Sequence, residues 1–133
     1  MTIGRYALVP HIPFKASGAV KAARFVTIAA NDSEGNQAVK FPTADSDPPV
    51  GIPLFDAADT EVAKVDTCHG AIYQVETAAA VTVGQELMLD VTAAAEGRVK
   101  PATSGKRVVA LAVETQATVG ERVGVILKDY FKP

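Results

Sequence analysis

The feature that most restricts the fold of this chain is a recurrence within it. Val39-Lys40-Phe41-Pro42-Thr43 returns about 60 residues later as Val99-Lys100-Pro101-Ala102-Thr103, and Val50-Gly51-Ile52-Pro53-Leu54 returns at nearly the same offset as Val109-Ala110-Leu111-Ala112-Val113. Phe25-Val26-Thr27-Ile28 precedes the first copy as Leu87-Met88-Leu89 precedes the second. Glu61-Val62-Ala63-Lys64-Val65 follows the first as Arg122-Val123-Gly124-Val125-Ile126 follows the second. Order and spacing agree, so the pattern reads as two copies of one β unit, residues 20–66 and 81–127. The rival reading is a chance match in a chain rich in alanine, valine and threonine. Two copies are too few for a solenoid, which needs about three to bury a continuous core, so they are expected to pair within one compact body.

The local patterns are those of strands. Within 81–127, Glu86 to Asp90, Gly97 to Pro101, Val108 to Val113 and Val123 to Leu127 follow one another at turn spacing. Upstream, the cluster Asn31-Asp32-Ser33-Glu34-Gly35-Asn36 joins Val20–Ile28 to Gln37–Phe41 as a hairpin. Ala71 to Glu76 alternates as a half-buried strand bridging the copies. Asp56 to Thr60 reads as a turn or a single helical turn. The alanine runs 78–80 and 93–95 are too short for independent helices, so at most one or two short helices are expected.

Residues 1–18 differ from the rest. Ile3, Tyr6, Leu8, Val9, Ile12 and Phe14 are interspersed with Pro10 and Pro13, each of which removes a backbone donor. This reads as an extended arm outside the single β-rich domain of residues 19–133. At the other end Tyr130 and Phe131 make a second apolar handle. The candidate partner-binding residues are therefore Tyr6, Leu8, Val9, Phe14, Tyr130 and Phe131.

Composition narrows the function classes. A chain of 133 residues can bury roughly two thirds of its unfolded surface without a disulfide or metal. Its apolar fraction of 48% is mostly alanine and valine, with 6% aromatic residues and no tryptophan, so the core should be small-featured and association would supplement it. Thirteen basic and 15 acidic residues, spread without blocks, lack the basic patch and interleaved aromatics of a nucleic-acid binder. No stretch approaches the roughly 20 apolar residues of a membrane span. The prolines near the start break any signal-peptide core, so a soluble protein without a cleaved signal is expected.

Chemistry finds little to work with. His11 and His69 are the two histidines, and Cys68-His69 would point to opposite faces of a strand rather than meet as nucleophile and base. Neither a structural zinc pattern nor a calcium loop is present; Asp56, Asp59 and Glu61 read as a solvated loop. Asp45 and Asp47 could be a carboxylate pair, but their proline-rich loop offers no sugar platform. Gly120 and Gly124 fit no phosphate-binding motif. No catalytic residue, metal or cofactor is expected.

At Glu86-Leu87-Met88-Leu89-Asp90, then Gly97-Arg98-Val99, then Val108-Val109-Ala110-Leu111-Ala112-Val113-Glu114, the chain resembles the head decoration, or cement, proteins of tailed bacteriophages. Their L-x-L-D strand, short turn, V-G-I-L-A strand and closing strand are matched well over 81–128 and loosely over 20–66. Val50-Gly51-Ile52 keeps the glycine that Ala110 replaces in the second copy, and Ala117 to Val123 is similar to the turn before the family's last strand. The resemblance implies a mainly β protein, a small β-barrel or β-tulip-like domain, without enzymatic activity. It also implies a partner, the major capsid protein, bridged on the capsid exterior by a homo-oligomer, often a trimer. Such a protein is made in the host cytoplasm and ends in the virion. The competing reading is a tail-tube, fibre or adhesin-like module.

Overall fold

The computed structural model describes residues 11–67 and 71–133. The described residues contain ten strands and no helix: β1 (His11–Ala16), β2 (Val26–Ala29), β3 (Ala38–Lys40), β4 (Pro49–Pro53), β5 (Val62–Asp66), β6 (Ile72–Glu76), β7 (Glu86–Leu89), β8 (Val99–Pro101), β9 (Arg107–Ala112) and β10 (Arg122–Phe131). The segment at 56–60 is a turn holding an isolated bridge, Val20 to Ala57, and not a helical turn.

The strands form two five-stranded units, a closed barrel in the order β1-β3-β2-β4-β5 and a sheet in the order β6-β10-β9-β7-β8. They share one plan. β1 runs antiparallel to β5 with Phe14 opposite Ala63, as β6 runs antiparallel to β10 with Val75 opposite Val123. The hairpin β2–β3 sets Ile28 against Val39, and β7–β8 sets Leu89 against Val99. β4–β5 pairs Pro53 with Val65 where β9–β10 pairs Ala112 with Val125. Even the isolated bridges correspond, Val20 with Ala57 and Val81 with Gln116. Such agreement in register has a steric source: a slip of one residue would turn every inward valine to solvent.

Of the span 1–18 read as an arm, residues 11–16 are a barrel strand, and residues 1–10 lie outside the described residues. Pro13 is tolerated there for a geometric reason. The Lys15 N–H donates to Gln37 O and the Ala16 N–H to Glu61 O, so successive N–H groups point to β3 and β5 in turn. The Pro13 nitrogen therefore faces the β3 side, where the ladder starts only at Lys15 opposite Ala38. A missing donor costs nothing beyond the end of a pairing.

The two units close differently. In the first, β1 meets β3 directly through the Lys15 N–H and Gln37 O. In the second, β6 and β8 touch only at the parallel bridge of Thr77 with Val99. The gap beyond it is entered by the first unit: Glu76 N–H donates to Ala23 O and Phe25 N–H donates to Gly97 O, both at 2.8 Å. Residues 23–25, a turn of the first unit, thus lie hydrogen-bonded between β6 and the turn before β8 of the second sheet. Ala23 adopts φ 62° to make the turn, and Gly97, at φ 82°, must be glycine because a Cβ would fall 2.4 Å from Phe25 O.

The cores follow this stitching. Phe14, Ala16, Val20, Val26, Val39, Ala63 and Val65 fill the first barrel. Phe25 and Ile52 of the first unit pack with Val75, Leu87, Leu89, Val99, Val109, Val123 and Val125 of the second. With cores of small side chains, this shared cluster is where each unit gains apolar burial it does not supply itself. Arg24, 5% exposed, crosses the same seam and meets Glu76 at 3.0 Å, while Arg98 reaches the same carboxylate oxygen at 3.1 Å.

Candidate functional site

The carboxylates that could have suggested chemistry are spent on the backbone. Asp56 accepts from the Ala22 N–H, Asp59 from Gly18 and Glu61 from Ala58. Glu61 closes its own turn, while Asp56 and Asp59 tie that turn to the distant segment 18–22. Asp47 accepts from the Thr43 and Ala44 N–H groups; burial works to raise its pKa, but those hydrogen bonds prevail and hold it below the ordinary range. Asp45 does not join it and instead pairs with Lys106 of the second unit at 3.0 Å. No group of three or more His, Cys, Asp or Glu suited to a metal ion occurs among the described residues. Cys68 and His69 lie outside them, as do Tyr6, Leu8 and Val9. The crevice between the units, lined by Phe25, Val50, Val109 and Leu127, has room for about 30 Å³, enough for a water and not for an organic ligand.

What the molecule offers is surface. Phe14 is not part of it, being 7% exposed inside the first barrel. Tyr130 and Phe131 are: β10 runs on past a bulge between Leu127 and Tyr130, and the extra length pairs Tyr130 with Val108 and Phe131 with Arg107. The tip is fastened from both sides. The Tyr130 hydroxyl donates to the Glu86 carboxylate, which Lys132 also approaches at 3.3 Å. That hydroxyl, then Lys132, lowers the Glu86 pKa, and the carboxylate in turn raises the Tyr130 phenol. The Arg107 guanidinium bonds Asp129 at 2.8 Å and lies 4.9 Å from the centre of the Phe131 ring. Phe131 remains 56% exposed.

Two further apolar surfaces had no advance notice as sites. On the second unit, Ile72, Ile126, Leu111 and Glu86 stand in one row across β6, β10, β9 and β7, with Ile72 exposed. On the first, Leu54, Phe55 and Val62 are all exposed beside one another on β5 and at the end of β4. Their signal lay in Leu54-Phe55 following a strand without a polar break.

Comparison with known families says what kind of protein carries these surfaces. A sequence model described as phage cement protein matches residues 7–127. The chain belongs to the phage cement protein family. As a phage cement protein it is a structural component of the virion that associates with the capsid. No curated protein sequence matches it. Among solved structures, the N base of head fiber gp8.5 of bacteriophage phi29 is similar, with a TM-score of 0.71 and 20% identity over 89% of this chain and 92% of that one. At that identity the likeness is one of fold alone.

Proposed function

We propose that the protein binds the exterior of an assembled phage capsid and stabilises it by bridging neighbouring major capsid protein subunits. The family match over residues 7–127 carries this reading. The surface supports it: exposed apolar groups at the Tyr130–Phe131 tip, with Tyr130 bonded to Glu86 and Phe131 beside Arg107. Residues 1–10, with Tyr6, Leu8 and Val9, belong to the same proposal as a second attachment, as does a homo-oligomeric, favourably trimeric, bound form.

A protein that binds the assembled shell in preference to dispersed subunits stabilises the shell by mass action, so protection should rise with free protein and then saturate. The test is to add purified protein to capsids assembled without it and measure binding together with resistance to heat or chelator. Saturation at a fixed number of copies per shell with raised resistance is the expected result. Failure to bind expanded capsids would sink the proposal. Rings or filaments formed by the protein alone, seen by electron microscopy, would favour a tube or fibre module instead.

A further inference from the structure

The two units differ at one strand edge. Just past β6 the Thr77 N–H donates to Glu121 O on the β10 side, while the Glu76 N–H donates the other way, to Ala23 O. Backbone groups alternate along a strand, so the N–H and C=O of Ile72 and Gln74 share the side of Glu76 and face away from β10. Ala23 takes only the Glu76 N–H. The N–H groups of Ile72 and Gln74 have no hydrogen-bond partner among the described residues. The first unit treats the same place differently. By register Gln74, opposite Gly124, corresponds to Pro13, opposite Lys64, and Glu76 corresponds to Lys15. There the Lys15 N–H meets Gln37 O, and proline removes the next donor along the edge, which Gln74 keeps. Proline is one of the devices that stop an open edge from pairing, and without it the β6 edge is a template for a further strand.

Such an edge is covered by extended backbone, and the chain carries a segment suited to it in residues 1–10, outside those described. Residues 2–9 contain no proline, and Tyr6 and Leu8, two apart, fall on one face of an extended chain. The tether is short. His11 stands opposite Asp66 at the end of β5, and Ile72 follows Asp66 by six residues, a span of at most about 20 Å. Residues 2–10 extend to about 30 Å, enough to reach β6 of the same chain, and the tether gives them a high effective concentration there. β6 leads away from Asp66 while the segment leads toward His11, so the added strand runs antiparallel. We infer that residues 5–9 pair with the outer edge of β6 in their own chain, Leu8 opposite Ile72 and Tyr6 opposite Gln74, as a sixth strand of the second sheet. In that register Leu8 covers Ile72, which is 63% exposed, and lengthens the apolar row of Ile72 and Ile126. The inference goes beyond the capsid reading and does not depend on it, since Tyr6 and Leu8 so placed still face outward.

The experiment is amide hydrogen exchange of the full chain, read residue by residue by NMR. The N–H groups of Ile72 and Gln74, and with them those of Tyr6 and Leu8, should be protected in the dilute free protein. Tyr6→Pro combined with Leu8→Pro removes the two donors that face β6 without touching the described domain, and should speed exchange at Ile72 and Gln74 about tenfold or more. Gln74→Pro, which gives the second unit the proline of the first, should in turn expose the Tyr6 and Leu8 amides. The Val75 and Val123 amides, inside the β6–β10 ladder, should stay protected in every variant and identify one that misfolds. Exchange at Ile72 and Gln74 that is the same in the wild type and in the folded double-proline protein overturns the inference. Protection that appears only as protein concentration rises assigns the edge to a second copy and overturns docking within one chain. Amides open in the free protein and protected only on added capsids give the edge to a strand of the shell, and overturn it equally.

Discussion

Replacing Glu76 by glutamine should loosen the two units from one another. Its carboxylate oxygen accepts from Arg24 at 3.0 Å and Arg98 at 3.1 Å, and the three side chains are only 6% (Arg24), 24% (Arg98) and 19% (Glu76) exposed. Glutamine keeps the shape and the Glu76 backbone bond to Ala23 but removes the one negative charge between two guanidiniums. Arg24 keeps its bond to the Ala94 carbonyl at 3.2 Å and its place over the Phe41 ring, but no charge balances it. Breaking a buried pair from one side costs about 3–5 kcal/mol, since the cost is that of a charge left desolvated. The lower end is apt here because Arg98 can turn to water. About 3 kcal/mol out of the 5–15 available to a domain corresponds to a fall in Tm on the order of 10 °C. Thermal melts and urea titrations measure it, with the urea midpoint falling. The pair Arg24→Met with Glu76→Leu, which removes the charges together, should recover most of the loss. A Glu76→Gln protein within about 1 kcal/mol of wild type, on the scale of a surface pair, would refute the argument that this ion cluster holds the seam.

Gly51→Ala should be far worse than an ordinary glycine substitution, because the new Cβ would lie 1.9 Å from Asp66 O and 2.9 Å from Val65 Cγ1, forcing β4 from β5; a loss of about 3 kcal/mol or more, or no folded protein in a melt, is expected. Asp90, only 7% exposed, would have its pKa raised by burial, but the Thr92 hydroxyl and N–H, then Lys100, outweigh this and lower it. Because its folded pKa lies below the unfolded value, its stabilisation is complete above roughly pH 4 and is lost as the pH falls through the folded pKa, so Tm should drop in acid and Asp90→Asn should blunt that drop. Tyr130 should titrate above the ordinary tyrosine range in an ultraviolet pH titration, and Glu86→Gln should bring it back toward that range.

The pattern of apolar residues was enough to place nine of the ten strands, all but β2 to within a few residues, because inward and outward alternation is a local property that a buried face imposes on sequence. The recurrence of Val50-Gly51-Ile52 and Val109-Ala110-Leu111 was legible for the same reason. Gly51 itself was visible as a departure between copies, but its cause, the approach of Asp66 O, is a distance across strands. β1 was hidden by Pro13, since no local rule tells on which side of a strand a ladder ends.

The surfaces divide in the same way. Tyr130 and Phe131 could be named from sequence as apolar groups near the chain end, but not the bulge that carries them on β10, nor the clamps from Glu86 and Arg107, which are 44 and 24 positions away in the chain. Phe14 looked equally available and is core, because burial depends on what covers a side chain and not on its neighbours in sequence. Arg24, Glu76 and Arg98 look like three scattered surface charges. Only the insertion of residues 23–25 between β6 and β8 brings them to one oxygen, and only the overlay of two registers shows that Gln74 keeps a donor at the edge position where the other unit has Pro13. What the sequence alone determined is every strand but β1, and the likeness of the two copies, since both follow from local periodicity. Closure, stitching and the choice of exposed face were decided by tertiary structure, because each depends on backbone groups that meet from distant parts of the chain.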